Sequence, residues 1–517
     1  MVQATAGEPD RAGETAKADG YAWYALAVLV LVYMLNFIDR QLLTILAVDI
    51  KRDLGISDAD FGFLYGTAFG VFYALFGIPL GKLADRWSRT GLLSLGLAVW
   101  SGMTALSGLA GNFWQLGAAR VGVGVGEATA GPCAYSLLAD YFPPRRRATA
   151  VAIFSSGIYL GGGVSLFIGT SIAMWWNSAF AVGMAPLGLA GWQAAFLAVG
   201  IPGVLLALWV RSLREPLRGR FEGLAEPAAV DPGREVWRGF VRDLGAIVPP
   251  FTLFVALRRG PAAGGVNALI AFSTAGAAIG LTIALGDPAQ WAALGVGVYA
   301  VASWAISLRH DDREAFDAIW AAPAVVGINV GYGLMCAVTY ASSAFGPLYA
   351  IESFGAPART VALVVGGSAA AGGALGVIAG GAIGDRVAAD GRHSRRVLVV
   401  IGALIASLAP YGLLLVTHSV TVLYWTVFPM WFVMSMALGS ASGTIVNIVP
   451  ARVRGTATAA FFLGATMIGL ALGPYAAGRL SREFESLRTG LALILLALPP
   501  AVLFLGIAWR DLVRKER

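Results

Sequence analysis

The chain of 517 residues is 57% hydrophobic and 13% charged, far from the balance of a soluble globular domain, so its solvent is lipid rather than water. Its net charge of +7 falls in short basic clusters between apolar runs rather than along one face, which excludes a nucleic-acid surface and fits membrane topology. Two cysteines far apart in sequence, Cys133 and Cys336, offer neither a disulfide framework nor a metal-ligand spacing and read as buried free thiols.

Residues 1–20 are polar, without the basic start and short apolar core of a signal peptide, and are expected to form a disordered cytoplasmic tail. Stretches of about 20 mostly apolar residues can cross a bilayer as helices, and six follow at about 21–49, 59–84, 91–110, 113–140, 148–175 and 192–211. A polar, partly amphipathic segment at about 212–249, beginning Arg211-Ser212-Leu213-Arg214-Glu215-Pro216, reads as a cytoplasmic linker. Two more apolar runs, at about 262–285 and 288–308, are separated by the turn-forming Gly286-Asp287-Pro288 and look like a membrane hairpin inserted within 250–318. Six further spans lie at about 320–351, 359–384, 396–416, 421–448, 456–480 and 488–510, ahead of a short cytoplasmic tail at 512–517. The expected fold is all-α: a polytopic membrane protein of two six-helix bundles, 21–211 and 319–511, plus the two-helix hairpin, about 14 membrane helices in all.

The distribution of basic residues supports a hairpin that crosses twice. Lys82, Arg86 and Arg89, then Arg145 to Arg147, then Arg211, Arg214 and Arg218 share one side of the membrane. Arg386, Arg392, Arg395 and Arg396, then Arg452 and Arg454, then Arg514 to Arg517 reach that same side only if the insertion contributes two crossings. The alternative, a hairpin lying on the membrane surface, is disfavoured by its weak amphipathicity. The expected location is the cell (inner) membrane, multi-pass, with both termini cytoplasmic.

Two motifs recur in the same order at equivalent loops. Gly81-Lys82-Leu83-Ala84-Asp85-Arg86 is echoed by Gly381-Ala382-Ile383-Gly384-Asp385-Arg386, and Arg145-Arg146-Arg147-Ala148-Thr149-Ala150 by Arg452-Val453-Arg454-Gly455-Thr456-Ala457. The offsets of about 300 and 307 residues mark a parallel duplication, with the central path between two related bundles.

The run Gly81-Lys82-Leu83-Ala84-Asp85-Arg86-Trp87-Ser88-Arg89 resembles the loop motif between helices two and three of the major facilitator superfamily, and Arg120-Val121-Gly122-Val123-Gly124-Val125-Gly126 resembles its fourth-helix motif. Within that superfamily, Asn36-Phe37-Ile38-Asp39-Arg40, Gly124-Val125-Gly126-Glu127-Ala128 and Tyr141-Phe142-Pro143-Pro144-Arg145-Arg146-Arg147-Ala148 resemble the spinster family of lipid transporters. The resemblance covers most of the chain and implies the major facilitator fold and proton-linked export of lysolipids or sphingoid phosphates. Two features depart from it. Gly161-Gly162-Gly163 stands where an antiporter carries a Gly-Pro pair on helix five, although Gly473-Pro474 occurs in helix eleven, and the inserted hairpin is absent from a twelve-helix plan.

Ionisable groups inside membrane helices are costly and are functional candidates by default. Asp39 and Arg40 lie on helix one, and Arg120 and Glu127, seven residues apart, share one face of helix four. A buried ion-pair network that only fixes helix packing is the bland reading. Against it, burial disfavours an ionised carboxylate and a nearby guanidinium favours it, so a movement that separates acid from base switches proton affinity. Asp39 and Glu127 are therefore the expected proton-coupling sites, with Arg40 and Arg120 as charge modulators or as the anchor for an anionic headgroup.

The loop residues Gly81, Asp85, Arg86 and Arg89, with Asp385 and Arg386 in the second half, are expected to form a cytoplasmic gate; the family resemblance implies that Asp85 caps a partner helix and Arg86 pairs nearby. Gly122, Gly124 and Gly126 sit within an apolar helix without a preceding strand, which favours close helix packing over a nucleotide loop. Asn36, Tyr65, Tyr73, Thr129, Tyr159, Tyr332, Tyr340, Ser343, Trp425 and Asn447 are candidate cavity-lining residues, though Tyr and Trp also populate membrane interfaces. The histidines at 310, 393 and 418 form no ligand cluster, and no nucleophile–base pair lies at mid-depth, so neither a metal, a cofactor nor an enzyme is expected.

The duplicated bundles suit alternating access better than a channel's fixed pore. Expected partners are an amphipathic lipid or small-molecule substrate, protons and membrane lipids, with no nucleic acid and a monomeric protein. The rival reading is a proton-coupled facilitator for a drug, sugar or small organic anion.

Overall fold

The computed structural model describes residues 19–180, 184–221, 233–450 and 453–517, so nearly all of the expected N-terminal tail, residues 222–232 of the linker, Arg452, and the side chains of Arg145 and Arg147 lie outside the described residues. Every regular element among them is helical, as lipid requires: with no water to satisfy backbone groups, each segment must close its hydrogen bonds internally. The chain forms α1 (Gly20–Ile45), α2 (Asp58–Ala84), α3 (Arg89–Ser107), α4 (Phe113–Glu127), α5 (Ala130–Tyr141), α6 (Pro144–Ala179) and α7 (Gly191–Arg211). Two shorter helices, α8 (Arg234–Gly245) and α9 (Phe251–Arg259), lead into the hairpin α10 (Pro261–Leu285) and α11 (Pro288–Asp311). The second half follows as α12 (Pro323–Phe354), α13 (Ala358–Val387), α14 (Ser394–Val416), α15 (Val420–Ile448), α16 (Arg454–Glu483) and α17 (Leu487–Glu516).

Helix starts follow local chemistry. Asp19 accepts from the Tyr21 N–H at the start of α1, Ser57 and Asp60 form a reciprocal capping box at α2, and Ser88 and Asn112 cap α3 and α4. Among the described residues, thirteen helices are long and apolar enough to cross a membrane. The fourth crossing differs from the continuous span expected at 113–140, because the helix breaks at Ala128 and Thr129 into α4 and α5. There the Thr129 hydroxyl donates to the Gly126 carbonyl at 2.9 Å, a side-chain bond that competes with the helical ladder, while Gly96 of α3 leaves room for it. Thirteen helices plus this two-piece span give fourteen crossings.

Alternating direction places loops 46–57, 286–287, 355–357 and 484–486 at one end, termed distal, and loops 85–88, 212–221 and 388–393 at the other, termed proximal. The halves meet through α1, α2 and α6 of the first and α12, α13 and α16 of the second. Two π-helical stretches, Phe63–Thr67 in α2 and Ala465–Leu470 in α16, face each other across this seam. A Cβ on Gly62 would strike the Pro474 carbonyl and one on Gly66 the Leu470 carbonyl, so backbone touches backbone there and only glycine fits.

Every hydrogen bond between the two halves recorded among the described residues lies from mid-depth to the distal end. Gln41 Nε2 donates to Ser343 Oγ at 2.8 Å and Tyr65 Oη to the same atom at 3.2 Å; the Thr67 hydroxyl donates to the Ala471 carbonyl at 2.6 Å. Ser481 donates to Asp58 at 2.6 Å, and Lys51 bridges Asp58 at 2.6 Å and Glu352 at 3.3 Å. The distal side is therefore closed.

Candidate functional site

Helix α1 presents two faces to two environments. Tyr33, Phe37, Arg40, Gln41 and Thr44, spaced as one helical face, line a central cavity of about 280 Å³, whereas Asn36 and Asp39 turn into the first bundle. Consecutive residues on a helix point about 100° apart, which is why Asp39 and Arg40 are not partners.

Arg40 instead reaches α4: its Nη2 lies 2.7 Å from Glu127 Oε2, and both side chains are buried. Its guanidinium also sits 4.3 Å from the Phe69 ring centre and 4.9 Å from that of Phe37, which shields the pair on its apolar sides. Arg120, also buried, lies 5.4 Å from the centre of the same Phe69 ring and donates through Nε to the Leu64 carbonyl at 3.4 Å, while its Nη2 has no hydrogen-bond partner. Asp39 is fully buried, and both of its carboxylate oxygens lack hydrogen-bond partners, although Thr104 and Trp100 of α3 face it and Glu127 and Arg120 are its charged neighbours. The four residues share one buried region, but only Arg40 and Glu127 form an ion pair.

Among the described residues that line the cavity, Arg40 is the one with a charged side chain. The rest of the lining is mostly aromatic, aliphatic, thioether or small, with Tyr73, Tyr340, Trp431 and Met434 among its larger members and Gln41 and Ser343 among scattered hydrogen-bonding groups; Tyr33, Tyr159 and Tyr332 also line it. Of the expected lining residues, Tyr73, Tyr159, Tyr332, Tyr340 and Ser343 are there. The others are not. Asn36 faces Glu127, Tyr65 lies behind Ser343, and Thr129 is buried at the α4–α5 break. Asn447 is exposed near the proximal end of α15 and bonds back to the Gly443 carbonyl at 2.6 Å, while Trp425 is 80% exposed on the outer surface. Tyr33, Gln41 and Trp431 were not singled out from sequence; for Tyr33 and Gln41 the signal was present in their helical spacing from Arg40.

At the proximal end the loop motif binds within its own half or to the linker. Arg89, buried, pairs with Asp140 and with Glu215 at 2.7 Å and donates to the Pro216 carbonyl at 2.8 Å. Glu215 also caps α3, accepting from the Thr90 N–H at 2.9 Å. Burial pushes the Glu215 carboxyl up, but the Thr90 N–H and Arg89 outweigh it and hold the group below its ordinary value. Lys82 and Arg86 both bond Asp243 of α8, at 3.1 and 2.9 Å. Asp85 makes no recorded bond to the other half; burial pushes its carboxyl up against the opposing pull of Arg218, Arg86 and Arg89. Gly81 packs against Pro132, Asp385 pairs with Arg396 at 2.8 Å, and Arg386 is exposed. The partner-helix cap expected of Asp85 is thus not made in this conformation, in which no hydrogen bond between the halves is found at the proximal end among the described residues.

The sequence profile of the Major Facilitator Superfamily matches residues 29–474. An MFS-type efflux pump of Mycolicibacterium smegmatis is 33% identical over 314 residues, 59% of this chain and 67% of the pump. A probable galactarate/D-glucarate transporter of Bacillus subtilis is 30% identical over 42% of this chain and 46% of its own length. Protein spinster of Drosophila melanogaster is 27% identical over 39% of this chain and 31% of its own. The chain thus matches less than half the length of the latter two. A crystal structure of a bacterial homologue of the human lysosomal transporter Spinster, inward-facing and unoccupied, has a TM-score of 0.70 at 25% identity, covering 96% of this chain and 99% of that one.

Proposed function

The chain belongs to the Major Facilitator Superfamily and is a transporter; on that premise, we propose that it moves a lysolipid, sphingoid phosphate or similar amphipathic anion by proton-coupled alternating access. The observation that carries this reading is Arg40, the one charge among the described residues that line a mostly aromatic and apolar cavity, paired with the buried Glu127 carboxylate. A planar guanidinium fork binds phosphate through two oxygens, and the apolar lining suits a hydrocarbon chain. At about 280 Å³ the cavity sits near the lower end of the ~300–1,000 Å³ range of ligand pockets, so it fits a headgroup with the chain extending toward the proximal side.

Coupling follows from competition. An anion that occupies Arg40 displaces Glu127, and a carboxylate left without its cation at this depth takes up a proton rather than stay ionised. Anion and proton then bind cooperatively and travel the same way. With coupling of this sign an inward proton gradient drives uptake, and the export that the family resemblance implies runs down the anion's own gradient. Asp39, separated from the cavity by α1, is the second proton site. The basic residues at the proximal end support, by the positive-inside rule, a cytoplasmic proximal side; on that reading the closed distal side is extracellular, both termini are cytoplasmic and the conformation is inward-facing.

A second reading, transport of a small sugar acid, draws on the sugar-acid transporters among the relatives and on the modest cavity. Proteoliposomes with an imposed pH gradient separate the two. Wild-type protein should move a lysophospholipid in preference to glucarate, Arg40→Ala should move neither, and Glu127→Gln should transport without responding to the gradient. Undiminished pH dependence in Glu127→Gln would sink the coupling assignment, and preference for glucarate would establish the second reading.

A further inference from the structure

The inserted hairpin touches both halves at the distal end, and its polar contacts are divided unequally between them. We propose that its turn is a clamp that holds the distal side shut by tying α2 of the first half to α16 of the second.

The turn is built around Asp287, which adopts a left-handed backbone (φ 56°) after Gly286 (φ 78°). Its carboxylate accepts from Arg482 at 2.7 and 2.9 Å, from Arg479 at 3.2 Å and from the Tyr475 hydroxyl at 2.9 Å. All three donors lie on α16. Arg479 also donates to the Leu285 carbonyl at the end of α10, which ties down the helix as well as the turn. One turn further on, the Gln290 side chain lies 2.6 Å from the Thr67 hydroxyl of α2 and donates to the Ala471 carbonyl of α16 at 3.4 Å, beside the direct Thr67–Ala471 bond. Gln290 is buried, so these groups have no water to fall back on. Farther along α11, Gly297 fits between Val71 of α2 and Met467 of α16.

The linker that leads into the insertion, and α11 itself, also pack on the first half. Asp243 of α8 takes Lys82 and Arg86 at the proximal end of α2, Gly239 makes room for the Arg86 guanidinium, and α11 packs along α2. The insertion is therefore anchored along α2, and its distal tip reaches α16 of the opposite half through charge. Distal opening moves α16 away from α2, which strips Asp287 of three donors and leaves Asp243 with both of its own. The clamp adds its bonds to the closed state only, and so biases the equilibrium between conformations.

Electron–electron distance measurements between spin labels at Arg52→Cys and Phe484→Cys, on the distal ends of the two halves, test this without any substrate. The outcome is thus independent of the transported molecule. Asp287→Asn and Arg482→Gln should each raise the distally open population roughly tenfold, as expected for losing charge-assisted bonds present in one state alone. Asp243→Asn should leave those distances unchanged. The clamp is overturned if both tip variants elute as folded protein with wild-type distances, or if Asp243→Asn opens the distal side as much as they do.

Discussion

The two ends of the molecule use their charges in opposite ways. At the distal end, Lys51, Asp58, Ser481, Arg482 and Asp287 join one half to the other or to the insertion, over a seam where glycines bring backbones into contact. At the proximal end, Arg89, Lys82, Arg86 and Arg396 are as well paired, yet each of these partners lies in the same half or in the linker. Ion pairs alone therefore do not make a gate. What distinguishes the ends is whether the pair spans the surface along which the halves separate, since only such pairs change between states.

The most disruptive way to break this contrast is at the glycine seam. Gly66→Val places a side chain against the Leu470 carbonyl, a backbone atom that cannot rotate away, so the distal side cannot close as it does here. Spin-label distances should show the closed population reduced by at least about tenfold, because the clash acts on one state alone. Next in size is Arg89→Ala, which removes the shared partner of Asp140 and Glu215 while both stay largely buried. Breaking such a buried pair costs about 3–5 kcal/mol, read as a fall in melting temperature in detergent, with distal distances unaltered because the pair spans no moving surface. An Arg89→Ala protein with native stability would contradict its role as the anchor of this end.

A smaller effect is expected at Asp85, whose partner-helix cap belongs to the conformation in which the proximal side closes. Asp85→Asn should favour the state described here by about two- to fivefold, the scale of a charge at a helix end, and unchanged distances would argue against the latch. Smallest is the pH response of Glu215. Its folded value is depressed, so its stabilisation is present above the unfolded value of about 4.3 and is lost as pH falls through the folded one. Thermal melts across acidic pH should show Glu215→Gln less sensitive to acid than the wild type.

The candidate site was legible in sequence as residues but not as pairs. Asp39, Arg40, Arg120 and Glu127 announced themselves as ionisable groups within apolar spans, but it was the structure that parted Asp39 from Arg40. No periodicity indicates that Arg40 meets Glu127, because that contact joins residues 87 apart in sequence and depends on how α1 packs against α4. The same limit explains Asn36 and Thr129, polar groups whose positions on their helices face the bundle rather than the cavity.

The sequence by itself determined the membrane-spanning helices, the duplication and the presence of the hairpin, since these depend on apolar length, turn chemistry and repeated local motifs. Tertiary structure alone decided the break between α4 and α5, the closure at the distal end and the docking of Asp287 on α16. Each of those arises from groups distant in the chain satisfying one another where water is excluded, and a local pattern holds no record of which distant group will be there.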